Sequence, residues 1–172
     1  MESELILNRG GFPPLSARGC IQHLRPVETG LMRRTINGAL IYAGTPFAHK
    51  YRSTIYCEDK ASLVLEGLWR GSEVRVGCIQ QLWSQTTAEE VLLERDPRDG
   101  SVVAMTSARE EVEIQSVKGR KIIIANYGLK DKGLGEIFIT YRPWLSMRII
   151  TFSLTTDEWG LKAGWRLELE EI

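Results

Sequence analysis

The residues that could act as acids, bases or nucleophiles are spread along this 172-residue chain without a recognisable catalytic pattern. Two histidines, His23 and His49, are available as a base. A hydrolytic triad can be drawn on paper from Ser53, His49 and Asp59. Ser62 is an alternative nucleophile, but nearness in sequence does not establish hydrogen-bond geometry. The sequence contains neither G-x-S-x-G nor H-E-x-x-H. We therefore predict no catalytic residue, and an enzyme is the least favoured alternative.

Adjacent carboxylates are a second possible source of chemistry, since glycosidases use two carboxyl groups. Neighbouring residues in a strand point to opposite faces of a sheet, so an adjacent pair is a poor acid–base couple. A couple drawn from distant segments stays open. The adjacent pairs are Glu58-Asp59, Glu89-Glu90, Glu110-Glu111 and Asp157-Glu158.

The spacing of the cysteines does not favour a metal site, and one built from them with His23 and His49 would need the fold to bring them together. Cys20, Cys57 and Cys78 are odd in number and lack Cys-x-x-Cys spacing, which suits a chain made and kept in a reducing cytoplasm. Zinc sites usually use closely spaced ligand pairs, and the nearest two cysteines are 21 positions apart. We predict that each cysteine is a small buried hydrophobe, and that the chain holds no metal and no cofactor.

Charge and hydropathy point away from nucleic acid and membrane. Lys+Arg and Asp+Glu are 22 each, so no net charge draws the chain to an anionic partner. The first four residues are acidic where a secretion signal is basic. The longest apolar stretches are much shorter than the ~20 residues of a membrane-spanning helix. We expect no specific nucleic-acid partner and no membrane anchor.

Hydrophobic periodicity indicates strands in most of the chain. In residues 165–170 apolar and charged side chains alternate strictly, and a nearly unbroken apolar run fills residues 147–154 before a turn. A period of 2 is typical of strands. Further strand-like segments are residues 5–8, 18–24, 51–58, 73–83, 101–105, 111–117, 121–127 and 136–141.

Two shorter segments concern turns and caps. Asn37-Gly38 lies between strand-like residues 31–36 and 39–42, and this dipeptide readily takes the positive φ angles of a type I′ turn, so we predict a hairpin. Residues 87–90, Thr-Ala-Glu-Glu, have the spacing of a helix capping box. For residues 86–95 a short helix and a strand are equal alternatives.

Regular turn signals without a sustained helical period predict an all-β, mainly antiparallel fold. We expect a β-sandwich or barrel with an inserted hairpin region and at most one or two short helices. The domain prediction is a single β-rich domain over residues 1–172, with residues 85–139 as an inserted subdomain.

Five tryptophans offer large surfaces for packing or binding. Trp165 lies in the alternating final strand and is predicted to be in the core. Trp159 lies at a turn, where an exposed ring suits a protein interface. For Trp69 we favour packing over binding. A carbohydrate-binding platform is the rival use of exposed rings.

Several motifs resemble a family of short proteins encoded among the virion genes of tailed bacteriophages. The resemblance covers residues 12–85 and 140–172 and leaves the middle unmatched. One departure is Arg70, where the family's turn has a proline between tryptophan and glycine. The motifs are RRTINGAL at 33–40, KYRSTIYCED at 50–59, LEGLWRG at 65–71, YRP at 141–143 and TDEWG at 156–160.

The resemblance implies a non-enzymatic structural subunit of the particle, most plausibly at the tail, baseplate or neck. It further implies other phage structural proteins as partners, a homo-oligomeric ring, and a location in the virion after synthesis in the host cytoplasm. Segments 9–14 and 128–135 would be flexible arms that order on assembly. The alternatives are a receptor- or glycan-binding module of a tail fibre and a capsid cement protein. The candidate interface residues are Phe12, Trp69, Arg70, Trp144 and Trp159.

Overall fold

The computed structural model describes residues 3–28, 30–44, 49–125 and 136–172, and none of these residues lies in a helix. The all-β, mainly antiparallel fold class is therefore confirmed. In chain order, the strands are β1 (Ile6–Leu7), β2 (Ile21–Pro26), β3 (Gly30–Arg34), β4 (Leu40–Gly44), β5 (Tyr51–Asp59), β6 (Glu73–Gly77), β7 (Leu82–Thr86), β8 (Glu90–Leu92), β9 (Val103–Thr106), β10 (Glu111–Val112), β11 (Ile114–Lys118), β12 (Lys121–Ile124), β13 (Ile137–Tyr141), β14 (Trp144–Thr156) and β15 (Ala163–Glu171).

The chain divides into two compact units, and the divisions fall inside β6 and β14. The first unit contains residues 1–8 and 75–145, and the second contains residues 9–74 and 146–172. The first unit includes the whole segment 85–139. A single domain with residues 85–139 as an inserted subdomain stays a prediction.

The second unit is organised by a sheet in the order β14-β15-β5-β2, with antiparallel pairing throughout. The strict alternation in the final strand explains its place at the centre. Leu167 and Leu169 are completely buried, while the intervening charged residues face the other side. Ile55 from β5 and Ile149 from β14 belong to the same buried set. Two strands and a turn at the end of the chain are thus confirmed.

The segment before β2 is packed onto this sheet. Val64 N donates to the carbonyl oxygen of Gly11 at 3.1 Å, and the ring of Phe12 stacks on Trp165 with centroids 6.0 Å apart. A Cβ at Gly10 would lie 2.5 Å from Leu68 Cδ1, so the backbone approaches its neighbour closely there. The prediction of a flexible arm at residues 9–14 is therefore wrong, because the glycines permit close packing. The other predicted arm, residues 128–135, lies outside the described residues.

The first unit contains two antiparallel sheets, ordered β10-β9-β13-β7 and β11-β12-β8. Their apolar faces share one core. Ile139 of β13 and Ile122 of β12 are completely buried there, one from each sheet. The full buried cluster is Val91, Leu93, Ala104, Val112, Ile122, Ile124, Ile137, Ile139 and Tyr141.

Of the two alternatives for residues 86–95, a short helix and a strand, the structure shows a strand. The hydroxyl of Thr86 accepts a hydrogen bond from Ala88 N at 3.0 Å, which makes a local turn in place of a helix cap. Val91 then pairs with Ile122 in the ladder between β8 and β12. Strand pairing therefore prevails over the capping-box spacing at Thr87.

Candidate interaction surface

An exposed hairpin, formed by β3 and β4, is the most unusual surface of the second unit. Its ladder runs from Gly30 opposite Gly44 to Arg34 opposite Leu40. We call residues 30–44 the apolar hairpin. Every residue from position 31 to 44 is exposed. A two-stranded hairpin is at best marginally stable in water by itself, so its structure depends on its local bonding.

The turn of the apolar hairpin is closed by Thr35 and Gly38. Thr35 N donates to the carbonyl oxygen of Ala39 at 2.9 Å, and Gly38 N donates to the carbonyl oxygen of Thr35 at 2.9 Å. Gly38 has φ +80°, whereas Asn37 does not have a positive φ. The predicted hairpin is confirmed, but its type I′ turn is wrong. The connection is a three-residue loop with glycine alone in the left-handed region.

The base of the apolar hairpin is closed by a pair of glycines. A Cβ at Gly30 would lie 2.5 Å from Gly44 Cα and 2.8 Å from the ring of Tyr42. A Cβ at Gly44 would lie 2.5 Å from the same ring. The tyrosine ring thus occupies the space of the absent side chains, and this close approach needs glycine at both positions.

The apolar hairpin exposes large hydrophobic side chains on both faces. Leu31 and Met32 are adjacent, so they point to opposite faces, and they are 63% and 66% exposed. Isolated exposed hydrophobic residues are common, whereas a concentrated group on a projecting element marks an interaction site. The exposed set used below is Leu31, Met32, Ile36, Leu40 and Ile41.

The charge of the apolar hairpin has one sign. Residues 30–44 contain Arg33 and Arg34 and no acidic residue. Arg34 Nη1 donates to the carbonyl oxygen of Gly38 at 2.9 Å, which helps to fix the loop. A partner surface that is both apolar and acidic would therefore complement this element.

The turn between β14 and β15, residues 157–162, is a second exposed projection of the same unit. We call it the tryptophan turn. Asp157 organises it, because Lys162 N donates to Asp157 Oδ1 at 3.2 Å and Gly160 N donates to the Asp157 carbonyl oxygen at 3.0 Å. Trp159 is 81% exposed, which confirms the predicted exposed ring at a turn. Leu161 and Glu158 are also exposed.

A groove of about 530 Å³ lies on the outer side of β5, β15 and β14 and shares Asp157 and Lys162 with the tryptophan turn. Gly164 and Tyr56 also line it. Lys162 Nζ lies 3.4 Å from Glu58 Oε1, and both residues line the groove. The groove is open and mixed in charge, which suits a polar ligand or part of another chain.

The candidate interface residues of the second unit differ in exposure. Phe12 is half-buried on Trp165. Trp69 packs one side against Phe152, with ring centroids 5.5 Å apart, but most of its surface is exposed. Arg70 follows it in an exposed turn. Trp165 itself is 3% exposed, so the predicted core position is confirmed.

Trp144 is the candidate interface residue of the first unit. The guanidinium carbon of Arg75 lies 5.0 Å from its ring centroid, a cation–π contact. A Cβ at Gly77 would lie 3.1 Å from the same indole. Trp144 is therefore half-buried by local packing. An interface role for these five residues stays a prediction.

Asp59, the acid of the triad drawn from the sequence, has a structural role. Its carboxylate is almost completely buried, and its Oδ1 lies 2.6 Å from Arg18 Nη2. Arg18 N donates to Oδ2 at 3.1 Å, and Lys60 N donates to Oδ1 at 2.8 Å. The Arg18 hydrogen bonds hold the pKa of Asp59 well below its usual range. This carboxylate fixes the strand end and is a poor proton acceptor.

The cysteines form no disulfide, and Cys57 and Cys78 are buried whereas Cys20 is half-buried. Burial raises the pKa of Cys57 to about 12, so its thiol is unreactive at neutral pH. The predicted buried position is thus confirmed for two of the three.

A metal centre and a membrane span are two further classes of site. Among residues 3–28, 30–44, 49–125 and 136–172, no group of three His, Cys, Asp or Glu side chains is placed to hold a metal ion. Over the same part of the chain, no helix has the length and apolar character needed to cross a bilayer.

The apolar hairpin is the element that sequence reasoning only half found. Asn37-Gly38 between strand-like residues 31–36 and 39–42 predicted the hairpin, but nothing in that pattern predicted its exposure. The available signal was the apolar residues on both faces, since a strand that covers a core on one side places polar residues on the other. No protein-family model, no curated protein and no solved structure matches this chain.

Proposed function

We propose that this protein is a non-enzymatic structural subunit of a tailed-phage virion. Its place is the tail, baseplate or neck, where it assembles as a homo-oligomeric ring with other phage structural proteins after synthesis in the host cytoplasm. The apolar hairpin is the observation that carries the proposal. It exposes five large aliphatic side chains, and it carries two arginines. The resemblance of the sequence motifs to virion proteins of tailed phages supports the assignment to a phage particle.

The energetics suit a subunit held by repeated contacts. Fully burying a large apolar side chain contributes about 1.5–3 kcal/mol, and each of the five residues has about half or more of its surface exposed, so burying what is exposed contributes at least about 1 kcal/mol per residue. The five residues together contribute about 5 kcal/mol on this basis. Association costs ~4–15 kcal/mol in lost freedom. One hairpin contact is therefore weak, and a closed ring with many copies makes the assembly stable.

The direct test is the location and copy number of the chain in particles. Virions of the phage that encodes it are purified on a density gradient, and the chain is quantified by mass spectrometry against the major capsid protein. Gold-labelled antibody then locates it by electron microscopy. We expect a fixed small copy number at the tail end. A chain that is absent from washed particles contradicts the proposal, and label on the head indicates a cement protein.

A glycan-binding module is the second candidate, favoured by the exposed indole of Trp159 on a turn whose Asp157 and Lys162 line the groove. Exposed aromatic rings pack well against the apolar faces of sugars, and the polar groove walls can donate and accept hydrogen bonds. Glycan-array binding that is lost in Trp159→Ala and kept in Trp83→Ala, a change at another exposed tryptophan, supports this candidate. An array with no signal for the unmodified chain excludes it.

A further inference from the structure

We infer that the apolar hairpin of one copy docks on the tryptophan turn of the next copy, in a head-to-tail contact. This inference rests on the proposed structural function and names the partner of the hairpin as a second copy of this chain. A contact between two different surfaces of the same molecule is heterologous, and it generates a ring when the rotation closes. Both surfaces belong to the second unit, so each copy offers one of each.

Charge complementarity is the first argument. The apolar hairpin contains Arg33 and Arg34 and no acidic residue. The tryptophan turn offers Asp157 and Glu158, with Lys162 at its end. Asp157 is occupied in organising the turn, whereas Glu158 is an exposed carboxylate beside Trp159. Opposite charges at matched positions fix the register of a contact and speed its formation.

Apolar complementarity is the second argument. The tryptophan turn exposes Trp159 and Leu161, and Leu154 is exposed where β14 approaches the turn. Tryptophan and arginine are the residue types most enriched among the side chains that dominate binding energy at interfaces. The hairpin supplies the matching aliphatic side chains, Leu31 and Ile41 among them. The groove next to the turn provides a concave surface for the hairpin tip.

A symmetric contact between two hairpins is disfavoured by the same charges. Antiparallel pairing of two copies would bring Arg33 and Arg34 of one hairpin close to the arginines of the other. Like charges opposite each other destabilise a ladder, and here no acidic residue of residues 30–44 compensates them. The hairpin therefore requires a partner surface of different composition.

Reciprocal charge reversal tests the contact in the full chain. Arg33→Glu places a carboxylate on the hairpin and lowers its net charge from +2 to zero, and Glu158→Arg makes the turn basic. Each variant alone places like charges at positions 33 and 158 of the contact, so its self-association weakens about tenfold. Mixed together, the two variants are complementary in both directions, and association returns. Sedimentation velocity measures mass as a function of concentration. The matched control, Glu66→Arg, reverses an exposed glutamate of the same unit and leaves association unchanged.

The outcomes are separable. Circular dichroism and thermal unfolding of each variant, equal to those of the parent, show that the fold is intact. Restored association in the mixture supports the inference. A parent that stays monomeric, a mixture that stays monomeric, or an effect of Arg33→Glu without an effect of Glu158→Arg overturns it. If one of these results is obtained and the Arg33→Glu variant is also missing from purified particles, the structural function is kept and the partner of the hairpin is another virion protein. If the parent chain is absent from particles, the proposed function and the inferred contact are both refuted.

Discussion

Replacement of Trp165 by phenylalanine measures how firmly the N-terminal segment is tied to the sheet of the second unit. The indole Nε1 donates to the carbonyl oxygen of Ser16 at 2.7 Å in a buried position. Phenylalanine keeps an aromatic surface for stacking on Phe12 but has no donor. Trp159→Phe is the matched control, because it makes the same chemical change at a ring that is 81% exposed, in the turn before the strand that contains Trp165.

The magnitude follows from two losses at Trp165. A buried carbonyl without its donor costs about 1–3 kcal/mol. The smaller ring leaves an unfilled space in a site that is 3% exposed, and we take about 1 kcal/mol for this partial cavity. The sum is a loss of about 2–4 kcal/mol in the free energy of unfolding. The control variant should change by less than about 0.5 kcal/mol, as surface substitutions do.

Equilibrium urea unfolding followed by far-ultraviolet circular dichroism measures both values, since this signal does not depend on the tryptophan being replaced. The midpoint of Trp165→Phe should fall while the slope with urea stays constant. Equal midpoints for Trp165→Phe and the parent would refute the assigned hydrogen bond and packing. A loss in Trp159→Phe as large as that in Trp165→Phe would refute the assigned exposure.

Three further predictions address the same unit. Asp59→Asn should flatten the acid dependence of the melting temperature. The ionised Asp59 stabilises the fold above its unfolded pKa of about 4, and this contribution is lost as the pH falls toward its lower folded pKa. The melting temperature of the parent should therefore fall more between about pH 5 and about pH 2 than that of the variant. The Cys57 thiol, with its pKa raised to about 12, should react with Ellman's reagent at pH 8 about a thousandfold more slowly in the native chain than in urea, and comparable rates would contradict its burial. Gly30→Ala should force the hairpin base apart at Gly44 and speed proteolytic cleavage within residues 30–44 about tenfold, with the core melting unchanged; an unaltered cleavage rate would show that the glycine pair is not required.

The sequence predicted the strands best where packing on one face imposed alternation. Leu167 and Leu169 alternate with charged residues and are buried as expected. Trp165 follows from the same register. These features depend on neighbours two positions apart, so a period in the sequence is sufficient to find them.

The geometry of turns and the pairing of distant side chains were harder to predict from the sequence. Asn37-Gly38 marked the hairpin, but the hydrogen bonds of Thr35 selected a three-residue loop. The pairing of Arg18 with the buried carboxylate of Asp59 joins residues 41 positions apart and has no local signature. The exposure of the apolar hairpin was also hidden, because alternation tells which residues share a face and does not tell whether another surface covers that face.

The most direct test of the central claim is the copy number of a hairpin variant in purified particles. The triple variant Leu31→Ser, Met32→Ser and Ile41→Ser removes apolar side chains that are exposed in the subunit, so its fold should be unaffected. Leu92→Ser, a change at an exposed leucine of the first unit, is the control. Quantitative mass spectrometry should find the triple variant in particles at least tenfold below the parent and the control at the parental level. Incorporation of the triple variant at the parental level would contradict assembly through this hairpin.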